Sequence, residues 1–157
     1  MRTRLLSSVL VVTAALCAGG CDPGTVKPDA GNQGVNVTCA QDAGTLTLTE
    51  MHPQVIGTIC HECHKPGGTM PDMATVDAMY TNVVDKPSIR YGEMGLKIID
   101  PGNLGNSVLW LKVNGGSPRV TGPRGEFVGG SMPNGLPQLP DEKKALIKQW
   151  ICSGAPK

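Results

Sequence analysis

"VIGTICHECHKPGG", residues 55–68, is the stretch on which the reading of the whole chain turns. It carries Cys60 and Cys63, three residues apart, with His64 directly after them and His61 between them. The remaining histidine, His52, stands eight residues before Cys60. C-x-x-C-H is the attachment signature of c-type haem. On a helical turn, residues three apart project from one side, so both thiols can reach the vinyl groups along one porphyrin edge. The next residue then brings an imidazole nitrogen towards the iron.

Two other chemistries use the same letters. A structural zinc site normally takes four protein ligands, often from two paired clusters. No second pair is present here, since Cys39 and Cys152 each stand alone. A redox-active dithiol is expected at a βαβ unit, which the chain lacks. Haem is the favoured reading, with zinc and dithiol as its rivals.

The composition agrees with a bulky cofactor but does not require one. Among 157 residues there are one Phe, two Trp and two Tyr, against 21 Gly and 13 Pro. Aromatic rings supply much of the apolar area that a small domain buries. A chain short of them needs either another filler or a loop-rich fold.

Residues 1–20 read as an export signal. Arg2 and Arg4 precede an apolar run from Leu5 to Leu16, shorter than the ~20 residues that cross a bilayer. Ala18-Gly19-Gly20-Cys21 resembles the lipobox of bacterial lipoproteins, which implies a lipidated Cys21 and a membrane anchor. Its alternative is ordinary cleavage, with Cys21 left as a free thiol. Residues 21–37 are rich in Pro, Gly, Asp and Asn and lack hydrophobic period, as a flexible linker would be. The folded part is expected over 38–157. Residues 1–20 hold two of the 14 basic residues and no acid, leaving 12 basic against 13 acidic, formally −1. That balance speaks against nucleic-acid binding.

Hydrophobic spacing and punctuation predict about four helices: Glu50 into Cys60, Ala74–Val84, Asn106–Val113 with Asn106 as N-cap, and Pro140 or Asp141 to the region of Gly154. "TLTLT" (Thr45–Thr49) alternates as a strand would, and "LKIID" is a brief strand candidate. A long Gly/Pro-rich loop separates the last two helices.

If haem is held, a sixth iron ligand must come from elsewhere. His52 and His61 lie too near the attachment turn, and read otherwise as solvated surface histidines. Met79 sits on a helical apolar stripe, Met51 is too close in sequence, and Met70 and Met73 come too soon after the motif. Met132, in the long loop and directly before Pro133, is the preferred distal ligand, and Met94 the second candidate. Arg90, Tyr91 and Trp110 are candidates to meet the haem propionates, or else surface and packing residues.

"CHECHKPGG", "DPGNLGNSVLWLKV" and "GGSMPNGLPQLPDEKKALIKQWICSGAP" together resemble the class I-type cytochrome c domains of bacterial exported and lipid-anchored proteins, over residues 50–157. The resemblance implies an all-α fold, a small cytochrome c-like domain of about four helices around one haem c, with long loops. It also implies Cys60 and Cys63 as thioether attachments, His64 as proximal ligand and Met132 as distal ligand. A crossing of first and last helices, as in that family, implies a Cys39–Cys152 disulfide. The insertion Asn114–Gly130 departs from the pattern. The function implied is that of an electron carrier between redox partner proteins, anchored to a membrane and facing the periplasm or exterior, and not an enzyme. A haem sensor or small haem enzyme with an open sixth position is the alternative.

Overall fold

The computed structural model describes residues 38–39, 44–115, 120–122, 125 and 128–157. The expected signal peptide, Cys21 and the linker to residue 37 lie outside them. Among the described residues there are four α-helices and no β-strand, with bridges only as isolated pairs, an architecture that is mostly helical and compatible with the all-α class.

The chain enters α1 (Leu48–Met51) through a capping box. Thr47 Oγ1 accepts from the Glu50 amide at 3.3 Å, and the Glu50 carboxylate accepts from the Thr47 amide at 2.8 Å. Both amides at the helix start are thereby satisfied. This corrects the strand expected over Thr45–Thr49: the T-x-x-E cap outweighs the two-residue alternation. The helix expected from Glu50 into Cys60 is found, but it changes pitch twice. A 3-10 turn (His52–Gln54) containing Pro53 comes after α1, and a π-helix (Ile56–Cys60) closes the segment.

α2 (Val76–Val83) starts at Thr75, whose hydroxyl accepts from the Ala78 amide at 3.1 Å. It stops before Pro87, with Val84 already extended. "LKIID" forms bridges rather than a strand, Val84 with Ile99 and Lys97 with Pro87 and Ser107. The N-cap of α3 (Val108–Asn114) is Ser107, not Asn106. The Asn106 side chain is used elsewhere, donating to Asp100 Oδ2 and to the Gly95 carbonyl, both at 3.0 Å. Lys97 completes this polar knot, 2.6 Å from Asp85 and 2.9 Å from Asp100.

α4 (Asp141–Cys152) ends in a Schellman turn. Gly154 takes a left-handed φ of 91°, the Ala155 amide donates to Trp150 O at 2.9 Å, and the Gly154 amide to Ile151 O at 3.1 Å. The main core gathers Leu48, Met51, Val55 and Ile56 with Met79 and Val83 of α2, Trp110 and Val113 of α3, and Ile147, Trp150 and Ile151 of α4. Both tryptophans are buried there, so the chain spends its few large rings on helix packing.

First and last elements are tied repeatedly. The Pro156 carbonyl accepts from both the Leu48 amide and Trp150 Nε1, at 2.8 and 2.9 Å. Cys39 and Cys152 form a disulfide across 113 residues. The expected long loop also has internal order at its base. The Val120 amide donates to Gly129 O and the Val128 amide to Val120 O, and both valines pack with Leu96, Val108 and Leu111 in a second, smaller core.

Candidate functional site

The π-helix sets the aim of the C-x-x-C-H turn. In it the His61 amide reaches five residues back to Ile56 O, at 3.0 Å. The extra residue per turn rotates Cys60 and its successors relative to a regular helix, and π segments of this kind recur at functional sites. The chain then tightens: the Cys63 and His64 amides both donate to Cys60 O, at 3.3 and 2.9 Å. Cys60, Cys63 and His64 therefore share one turn. Gly68 closes beneath it, where a Cβ would collide with the Cys63 carbonyl. The Thr69 amide donates to that same oxygen at 2.8 Å.

Both cysteines are free thiols, Cys60 half-buried and Cys63 exposed. Burial, and then the neighbouring Cys63, push the Cys60 thiol up to about 11. His64 has one ring nitrogen committed. Its Nδ1 lies 3.1 Å from the Pro71 carbonyl, which can only accept, so Nδ1 carries the hydrogen and Nε2 keeps its lone pair. A hydrogen-bonded imidazole with a fixed tautomer is how a protein prepares a metal ligand. Two thiols and an oriented imidazole on one turn can bond covalently to an electrophilic planar group and coordinate a metal at its centre.

The other histidines divide. His61 Nε2 lies 3.2 Å from Glu62 Oε1, and its Nδ1 is buried without a partner. His52, expected to be either solvated or a ligand, is buried, with Nε2 3.0 Å from the Met73 carbonyl. Nothing in the local sequence signals this, because its partner lies 21 residues away. No group of three or more His, Cys, Asp or Glu able to hold a metal occurs among the described residues.

Of the methionines, Met51, Met73 and Met79 are buried in the main core, whereas Met70 and Met94 are at least half exposed. Met132 is half-buried against that core, whose rim also carries Ile59 and Cys60. Its amide donates to Lys112 O at 3.0 Å, so α3 carries the loop that holds it. The Lys112 ammonium donates to Gly130 O at 3.2 Å. Burial, and then the charge of Arg90, hold this ammonium below the ordinary lysine range. Gly129 is wedged beside it: a Cβ there would stand 2.7 Å from Lys112 Nζ and 2.9 Å from the Tyr91 hydroxyl. Arg90, Tyr91 and Lys112 thus gather next to the methionine loop, and Trp110 belongs to the core.

No protein-family model matches the chain, and no curated protein or solved structure matches it.

Proposed function

We propose that the chain is a monohaem c-type cytochrome that carries single electrons between redox partners. One observation carries the reading: Cys60, Cys63 and His64 occupy a single turn, with both thiols free and His64 Nε2 left available by the Nδ1 bond to Pro71. The residues present fit the group. Cys60 and Cys63 would hold it by thioether bonds and His64 would ligate its iron. Met132, half-buried against the main core, would be the preferred second ligand, with Met94 the other candidate. Arg90, Tyr91 and Lys112, gathered beside the Met132 loop, would be the groups available to its carboxylates.

When bound, haem supplies a one-electron iron couple, and His/Met ligation raises its potential. The chain's own part is to keep that couple from doing other chemistry. The Pro71 carbonyl fixes the His64 ring. Lys112 O, accepting from the Met132 amide, and the Lys112 ammonium, donating to Gly130 O, hold the Met132 loop to α3, so its position would change little with the charge of a bound group. His64 and Met132 would both be engaged in holding the group, which suits a carrier more than a catalyst. Lipidation at Cys21 would place the carrier at a membrane surface, with residues 21–37 as spacer. No described helix is long and apolar enough to cross a membrane.

The test is a pyridine haemochrome spectrum of protein matured in a host with haem-attachment machinery. One covalent haem per chain is the expected result, and colourless protein would sink the proposal. Carbon monoxide added to the reduced protein then tests Met132. The wild type should bind it slowly and incompletely, Met132→Ala rapidly. Rapid, complete binding by the wild type would instead make this an open-site sensor or enzyme.

A further inference from the structure

The three consecutive carbonyls of Pro71, Asp72 and Met73 are each held by a side chain from a different part of the fold. Pro71 O accepts from His64 Nδ1 at 3.1 Å, Asp72 O from Asn82 Nδ2 at 3.1 Å, and Met73 O from His52 Nε2 at 3.0 Å. The Met73 amide returns the connection by donating to His64 O at 2.9 Å, while the Met73 side chain is buried in the main core. The segment is thus a short strap. One end orients the His64 ring, and the other end is fixed by His52.

His52 is built into this role. A carbonyl only accepts, so His52 must carry its hydrogen on Nε2. The residue is 7% exposed. Gly57, in the π-helix, makes the berth: a Cβ at that position would lie 3.3 Å from both Cε1 and Nδ1 of the ring. The segment that aims Cys60 therefore also leaves room for the imidazole that holds the strap.

We infer that His52 is a positioning residue for His64, acting through Met73 and Pro71 to fix the tautomer and orientation of the iron ligand. This rests on the haem reading for its effect on the metal, but not for the strap itself. A hydrogen bond to the far nitrogen of a ligating imidazole increases the electron density that it offers a metal. Loosening the strap should weaken that bond and shift the reduction potential upward.

The experiment uses full-length matured protein in its reduced, diamagnetic state. In the wild type, imidazole ¹⁵N shifts should report His52 as the Nε2–H tautomer; an Nδ1–H tautomer or a freely exchanging ring overturns the inference without any variant. His52→Phe keeps a ring and removes the donor, and His52→Gln restores an N–H. For the Phe variant, exchange of the Met73 amide and of His64 Nδ1–H should speed up about fivefold, the effect of one lost hydrogen bond. The potential should rise, and Gln should return both towards wild type. A Phe variant that only melts earlier, with exchange at these two sites and the potential unchanged, makes His52 a packing residue and overturns the inference. A colourless preparation overturns the haem reading instead, and Met73 exchange still decides the strap.

Discussion

Cys60 and Cys63 are the same functional group three residues apart, in unlike surroundings. With its thiol pushed up to about 11, Cys60 presents roughly a hundredfold less thiolate at pH 8 than an ordinary thiol of 9.0. In protein made without cofactor, iodoacetamide at pH 8 should therefore label Cys63 well before Cys60, read by peptide mass mapping. The same shift has a stability consequence of definite sign. Between pH 9 and about 11 the unfolded chain has lost the Cys60 proton that the folded chain keeps, so stability falls across that window. In protein whose sulfurs are both thioethers, a melting series over the same range should lack this fall. Gly68 gives a second residue-scale outcome: Gly68→Ala sets a methyl on the Cys63 carbonyl and should cost about 1–3 kcal/mol, seen as a lower melting temperature. At this scale, spacing makes Cys60, Cys63 and His64 legible as a group. The burial of His52 is not legible, because it depends on a carbonyl brought to it only by folding.

The start of α1 shows how two local signals compete. Thr45–Thr49 alternates with a period of two, yet Thr47 and Glu50 complete a capping box, and the helix wins. The cap is present in the letters T-x-x-E, but the alternation overlaps it and points the other way. The Glu50 carboxyl is held below the ordinary carboxylate range, first by the Thr47 amide and then by the Thr47 hydroxyl. Its contribution is therefore present above the unfolded value of 4.5 and is lost as pH falls through the lower folded value. Glu50→Gln should flatten the acid limb of the stability curve in a urea titration series, and Thr47→Ala should lower stability by about 1 kcal/mol at neutral pH. α4 is legible because acids in its first turn, an apolar stripe and Gly154 all agree. The π-helix leaves no such mark, since no residue type in Ile56–Cys60 demands the wider turn.

Across the whole molecule, the ends of the folded chain are what hold it closed. The Cys39–Cys152 disulfide spans 113 residues, and a loop of that length contributes on the order of 4–5 kcal/mol in the chain-entropy model. Cys39→Ala with Cys152→Ala should lower stability by up to that amount in denaturant titration, leaving as ties the bonds to Pro156 O and those of Gln149 to Gly44 O and Ser153 to Leu46 O. An unchanged midpoint would mean that those contacts suffice. The all-α class is legible from helical spacing and sparse strand signal. The pairing of Val120 with Val128 within the Asn114–Gly130 insertion is not, although two valines in a Gly/Pro-rich stretch are the clue.

The pairing of these two valines has a practical consequence. Val120 and Val128 are fastened to each other and packed on α3, and Met132 is separately fastened to Lys112 O, so the two anchorages use different hydrogen bonds. Gly125, exposed and lying in sequence between the two valines, is therefore a port where a reporter peptide or docking epitope could be spliced in while the Met132 amide keeps its bond to Lys112 O.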